Sequence, residues 1–162
     1  RLGVDRHVDT ILSDITISNG LGWSPDDTLM YYIDSMTRRV DVFDYEPVDG
    51  TIGNRRTIVE IADDEGMPDG MTVDSDGFLW VAIYGAGTVR RFDPEGLPDM
   101  EIKLPVSNVT SCAFGGPDLR DVYITTAAQF MSDEELLMQP HAGGIYRARP
   151  GPTGMPAHRF RG

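Results

Sequence analysis

Short runs rich in Val, Ile, Tyr, Phe and Trp alternate along the chain with clusters of Gly, Pro, Asp and Ser. Runs of this kind favour strands, and the polar clusters between them favour tight turns. Three groups of strands emerge. The first predicts strands at Gly20–Trp23, Leu29–Asp34, Val40–Tyr45 and Thr57–Ile61. The second predicts Gly70–Val73, Phe78–Ile83, Val89–Phe92 and Glu101–Leu104, and the third Ser111–Phe114, Val122–Thr126, Ile145–Arg147 and His158–Phe160. One helix breaks the pattern: Ser132 and Glu135 form a capping box ahead of Leu136, Leu137 and Met138, read as an insertion between two strands of the last group.

The groups are copies of one another. "NGLGWSPDDTLMYYIDSMTRRVDVFDYEP" from Asn19 aligns with "DGMTVDSDGFLWVAIYGAGTVRRFDPEG" from Asp69, and "TSCAFGGPDLRDVYITTA" from Thr110 repeats the theme. The starts lie about fifty and then about forty residues apart, the spacing of propeller blades. The expected fold is therefore all-β, a β-propeller of which about three four-stranded blades are present. We divide the chain into 1–17 (the end of a preceding blade, "HVDTILSDI" being its last strand), 18–62, 68–105 and 110–162. The acidic linker "EIADDEGMP" joins the first two full blades. Three blades are too few to close a ring of about four to eight. A missing N-terminal segment or a second chain is expected to complete it, since uncovered blade faces are an aggregation hazard.

Composition narrows the function. Hydrophobic residues make up 40%, and 18 Gly with 11 Pro fit a turn-rich globular domain. Fourteen basic and 26 acidic side chains give a formal charge of −12, which repels nucleic acid and anionic lipid alike. No apolar run is long enough to span a bilayer. The single cysteine, Cys112, excludes an internal disulfide framework and fits a cytoplasmic protein. Asn108-Val109-Thr110 matches the glycosylation pattern, but nothing else suggests secretion.

The repeat register puts Asn19, Asp69 and Thr110 in equivalent places, just ahead of the innermost strands. Oxygen donors from different blades aimed at one point can ligate a hard divalent cation. Calcium, magnesium or manganese suit such ligands, and zinc is admitted through the carboxylate. Asn-Gly and Asp-Gly are equally common as plain turn dipeptides, so pattern alone leaves both readings open. Other candidates have simpler explanations. His7, His141 and His158 read as surface residues, Cys112 as a buried small hydrophobe, and Trp23 and Trp80 as blade core. "DSDG" at Asp74–Gly77 lacks the later ligands of a calcium loop and reads as a hairpin turn. "YGAG" at Tyr84–Gly87 precedes no helix, so it is no dinucleotide fingerprint. The arginine pairs at 38–39, 55–56 and 90–91 read as solvated strand edges.

Long motifs resemble the regucalcin-type (senescence marker protein/gluconolactonase) family. They are "ISNGLGWSPDDTLMYYIDS" at Ile17–Ser35, "NRRT" at Asn54–Thr57, "PDGMTVDSDGFLWVA" at Pro68–Ala82, "LPVSNVTSCAFGG" at Leu104–Gly116 and "MSDEELLMQPHAGGIY" at Met131–Tyr146. The match corresponds to the C-terminal portion of that family. The resemblance implies a six-bladed propeller with a divalent metal, calcium foremost, in its central channel. It implies Asn19 and Asp69 as metal ligands and hydrolysis of a sugar lactone to the aldonic acid. Asp69 would also serve as general base, while neutral Asn19 would leave the ion a stronger Lewis acid. A third ligand, a Glu near the family's N-terminus, has no counterpart in these residues, nor do the family's sugar-contacting Arg, Asn and Glu. The alternatives carried forward are a non-catalytic calcium-binding regulatory propeller, an inactive fragment, and a sister hydrolase of other esters or phosphotriesters.

Overall fold

The computed structural model describes residues 1–3 and 5–157. Eleven strands and one short helix are found among them, in three antiparallel sheets. The first sheet holds β1 (Ser18–Trp23), β2 (Leu29–Asp34), β3 (Arg39–Glu46) and β4 (Thr51–Glu60) in sequential order. The second holds β5 (Met67–Val73), β6 (Leu79–Tyr84), β7 (Thr88–Phe92) and β8 (Pro98–Lys103). The third holds β9 (Val109–Gly115), β10 (Asp121–Thr126) and β11 (Ile145–Ala148). The strand expected at His158–Phe160 lies outside the described residues. Helix α1 (Asp133–Met138) is inserted between β10 and β11, with Ser132 and Glu135 forming the reciprocal capping box.

The first strand of each sheet packs beside the first strand of the next, β1 against β5 and β5 against β9. This is how blades stand around a propeller axis. Alternation along each strand sends side chains to opposite blade faces. Tyr31 and Ile33 of β2 meet Leu79, Val81 and Ile83 of β6 in one core cluster. Trp80 and Ala82 of the same β6 point the other way, onto Val109, Cys112, Val122 and Ile124 of the third sheet. β6 is thus apolar on both faces, which is why "LWVAIY" reads as an unbroken hydrophobic run. On the far side of the first sheet, Met30, Tyr32 and Phe43 form a third cluster, with Leu12, Ile15, Trp23, Tyr45 and Ile52 packed on it.

Four expectations need correction. Residues 7–15 form no strand; only an isolated bridge joins Leu2 to Val8, and the segment contributes Leu12 and Ile15 as an apolar cover. β4 begins six residues earlier than expected, at Thr51, because an exposed edge strand with Gly53, Asn54 and two arginines carries no apolar period. β8 begins at Pro98, three residues before the expected Glu101, and ends at Lys103. Arg91 is not a solvated edge residue. It is 6% exposed, lies 3.6 Å from the Phe78 ring centre, and donates from Nε to Asp74 at 2.9 Å and from Nη1 to Asp99 at 2.5 Å. Arg55 is likewise bonded to a buried carboxylate, Asp41.

Asp74 holds the turn and the core together. Its Oδ1 accepts the backbone N–H groups of Asp76 and Phe78, and its Oδ2 accepts from Trp80 Nε1 and Arg91 Nε. The "DSDG" turn is therefore a hairpin turn tied inward by a fully buried carboxylate. Asp74→Ala removes one of the two carboxylates on the buried Arg91 guanidinium and the acceptor of the Trp80 indole N–H, and the expected loss is about 3–5 kcal/mol. Arg56→Ala, which breaks an exposed pair with Asp44, is expected to cost less than about 1 kcal/mol. Denaturant titration of the two variants measures the contrast.

Candidate functional site

Asn19, Asp69 and Thr110 share an irregularity. β1 pairs with β2 in steady register except between Ser18 and Leu21, where a bulge takes in Asn19 and Gly20. β5 slips in the same way between Pro68 and Met71, taking in Asp69 and Gly70. In β9 the register shifts opposite Thr125 and Thr126, at Thr110. A bulge bends its strand and re-aims a side chain that regular pleating would send elsewhere. The Asn-Gly and Asp-Gly dipeptides are thus not turns; they are bulges at one end of β1 and β5.

The glycines set the spacing. A Cβ on Gly20 would lie 2.8 Å from the Asp69 carbonyl oxygen and 2.6 Å from Met71 Cγ. A Cβ on Gly70 would lie 2.2 Å from Ser111 Oγ and 2.8 Å from Ser111 Cα. Only hydrogen at these positions lets the inner strands come so close. The result seats Asn19 beside Asp69, where its amide favours the charged form of that carboxylate. Asn19 Nδ2 also donates to Ser35 Oγ at 3.1 Å.

Asp69 is half-buried, and that burial is the largest influence on it, raising its pKa above the ordinary carboxylate range against the opposing influence of the Asn19 amide and the Gly70 N–H. No arginine or lysine is recorded in an ion pair with it among the described residues. Thr110 is not brought into this pair; its hydroxyl is 2.8 Å from that of Thr125. Sequence reasoning missed Ser35 and Asp34. Asp34, 4% exposed, accepts the backbone N–H groups of Thr16 and Ile17, each at 2.9 Å, and of Met36 at 3.3 Å. Burial opposes its ionisation, but these bonds outweigh it and hold its pKa below the ordinary value. An Asp that closes a strand and caps the following 3-10 turn (Ser35–Thr37) was the available signal.

Around the same end lie Tyr84, whose hydroxyl reaches the Gln129 carbonyl at 3.4 Å, and Asn108, which is buried. Asn108 donates to Gln129 O at 3.5 Å and accepts from Ser107 Oγ, a position unsuited to glycosylation. Cys112 is buried beneath, its thiol pushed up to about 12 by desolvation, and so inert. His7 and His141 are exposed, as expected; His158 lies outside the described residues.

Two oxygen donors from adjacent blades suit a hard divalent cation better than a soft one. Among the described residues no group of three or more His, Cys, Asp or Glu is placed to hold a metal. The SMP-30/Gluconolactonase/LRE-like region model matches residues 1–128. The chain belongs to the SMP-30/gluconolactonase/LRE-like family. Pig (Sus scrofa) regucalcin is 45% identical over 163 residues, covering 99% of this chain and 54% of its own length. A solved calcium-binding protein, regucalcin from Agrobacterium tumefaciens, superposes with a TM-score of 0.90 at 26% identity, over 96% of this chain and 54% of that one. A gluconolactonase from Xanthomonas campestris gives 0.59 at 30% identity, over 70% and 36%. The chain spans about half the length of these family members, and its three sheets are blades of the family's β-propeller. No helix among the described residues is long and apolar enough to cross a membrane.

Two outcomes follow from this geometry. Gly70→Ala forces β5 away from Ser111 and is expected to cost about 1–3 kcal/mol by overpacking. Gly53→Ala, where a Cβ meets nothing within 4 Å, is expected to cost nothing measurable by the same denaturant titration. Asp34 supplies stability that is present above its unfolded pKa of about 3.9 and is lost as pH falls through its lower folded value, because the unfolded chain then binds more protons. Asp34→Asn should be clearly less stable at pH 6, with the gap to the unsubstituted protein closing below about pH 4 in stability measured against pH.

Proposed function

We propose that the complete propeller hydrolyses sugar lactones in a metal-dependent reaction, with Asn19 and Asp69 as two of its metal ligands. The observation that carries this reading is that an amide and a half-buried carboxylate occupy equivalent bulges on two neighbouring inner strands. Membership of a family that includes a gluconolactonase and a calcium-binding regucalcin supports the reaction class and calcium as the first choice of ion. Magnesium, manganese and zinc are the other candidates.

The residues fit such an ion. Asn19 Nδ2 donates to Ser35 Oγ at 3.1 Å, which leaves its amide oxygen to ligate. Asp69 carries a charge in a partly desolvated place, which a bound cation would offset. When bound, the ion supplies Lewis-acid polarisation of the lactone carbonyl. Asp69 accepts a proton from the attacking water as the water oxygen bonds to the carbonyl carbon. The ring C–O bond then breaks and the proton passes to the departing ring oxygen, giving the hydroxy acid. Asn19 orients without adding negative charge.

The apolar far face of the first sheet, with Leu21, Trp23, Tyr32 and Ile52 lining an open cleft of about 530 Å³, supports a further blade seated there. An upstream segment or a second chain would supply it. The substrate is a small sugar lactone, with no nucleic-acid or membrane partner, and the single reduced cysteine supports a cytoplasmic setting.

In the intact protein, Asp69→Ala is expected to lower gluconolactone turnover by about a hundredfold or more. Asp69→Asn, which keeps a ligand oxygen but no base, should retain more metal than turnover. Calcium binding by the unsubstituted protein without turnover of any lactone would favour a non-catalytic calcium-binding propeller instead.

A further inference from the structure

We propose that Phe130 is a substrate-binding residue, an aromatic face on which the C–H face of a sugar lactone stacks, an inference that rests on the lactonase reading above. Its backbone is the first observation. The Met131 N–H donates to the Ala128 carbonyl at 3.4 Å, closing a turn in which Phe130 is the third residue, at a φ of 66°. That place in a turn suits glycine or asparagine, because a larger side chain in the left-handed region crowds its own backbone. Arg38, at a φ of 56°, gains something from the same conformation: it caps the 3-10 turn and pairs with Asp63. Phe130 gains no burial. It is 89% exposed and joins no core cluster among the described residues. Leu137 and Met138 are nearly as exposed, but they sit on the regular helix α1. A large apolar side chain held outward on a strained turn points to a ligand.

The turn is fixed at the end of the blades that carries Asp69. On β5, Met67 and Pro68 stand just ahead of Asp69 and pair with Tyr84 and Ile83 of β6. Tyr84 in turn bridges to Asn108, the residue before β9. Both side chains donate to the carbonyl of Gln129, the residue preceding Phe130, at 3.4 and 3.5 Å. The rest of the insertion between β10 and β11 is tied to the same rim. The Ala127 N–H donates to the Asn108 carbonyl at 2.8 Å, and Gln139 Oε1 accepts the Ser107 N–H at 2.7 Å. A side chain on a turn anchored in this way is held at the rim without packing. The chemistry suits the proposed substrate class. A sugar lactone carries hydroxyls around its edge and C–H bonds on its faces, so polar groups grip the edge while a flat apolar surface takes a face.

The test is steady-state gluconolactone hydrolysis with calcium by the intact protein, together with Tm, for Phe130→Gly, Phe130→Tyr and Leu137→Ala. Phe130→Gly should raise KM about tenfold while kcat changes less than about threefold, the pattern of lost substrate binding. Its Tm should be unchanged or higher, because glycine fits the left-handed turn. Phe130→Tyr, which keeps a flat face, should hold KM within about threefold, and Leu137→Ala should leave both constants alone. An unchanged KM in Phe130→Gly would show that the aromatic face does not meet the substrate. A lower Tm would show that it packs against another blade, and either result overturns the proposal. Equal rises of KM in Phe130→Gly and Leu137→Ala would show a general effect of altering the insertion, and would overturn it too. Absence of lactone turnover by the unsubstituted protein would overturn the lactonase reading, and this inference with it.

Discussion

The close approach of β1, β5 and β9 is the constraint on which the rest of the molecule depends. Gly20 and Gly70 leave no room for a side chain, so each inner strand lies against the backbone of the next. Because that contact includes backbone atoms, the Asp69 carbonyl oxygen and Ser111 Cα, it has little freedom to relax. The sheets then fan outward, and the space between them is filled by residues of graded size. Tyr31, Ile33, Val40 and Val42 of the first blade fill one gap against Leu79, Val81 and Ile83; Trp80 fills the next against Cys112 and Val122. The Trp80 ring is fully buried and meets Phe114 edge-on at 5.6 Å, a geometry aromatic rings favour. The bulges that place Asn19 and Asp69 sit on these same inner strands, so packing and chemistry share one scaffold.

Charge is distributed to the same end. The chain has 26 acidic and 14 basic side chains, and many of the arginines are committed to particular aspartates. Arg91 is tied to Asp74 and Asp99, Arg55 to Asp41, and Arg149 to Asp118 and Asp121. These pairs sit between strands of one blade and stiffen its outer half. Asp69 is placed differently, with burial raising its pKa against the influence of the Asn19 amide and the Gly70 N–H. A carboxylate so placed suits a cation that arrives from solution, whereas the ion-paired aspartates are already satisfied.

Much of the architecture was legible because the repeat writes it three times. Strong alternating runs such as "LMYYID" and "LWVAIY" located β2 and β6, and Ser132 with Glu135 located the helix. Edge strands were harder. β4 places Asn54 at a positive φ of 51° among exposed polar residues, so no hydrophobic period marks where it begins. The burial of Arg91 could not be read locally, since its partner Asp74 is 17 residues away and looks like an ordinary turn residue. Asn-Gly and Asp-Gly carried two meanings in sequence. The structure distinguishes them, because a shift in pairing register is a property of two strands and not of a dipeptide. Thr110 shows the limit of register reasoning: it occupies the equivalent bulge, yet its hydroxyl is bonded to Thr125.

A ligand set built from separate blades has a mechanical consequence. Asn19 and Asp69 belong to different sheets, so anything that binds both also bridges β1 to β5 where they are already in closest contact. On the proposed reading, a cation there would stabilise the folded ring by mass action, with the increment growing as the logarithm of its concentration over its dissociation constant. That stabilisation would be concentrated at the inner strands and would do little for edge strands such as β4 and β8.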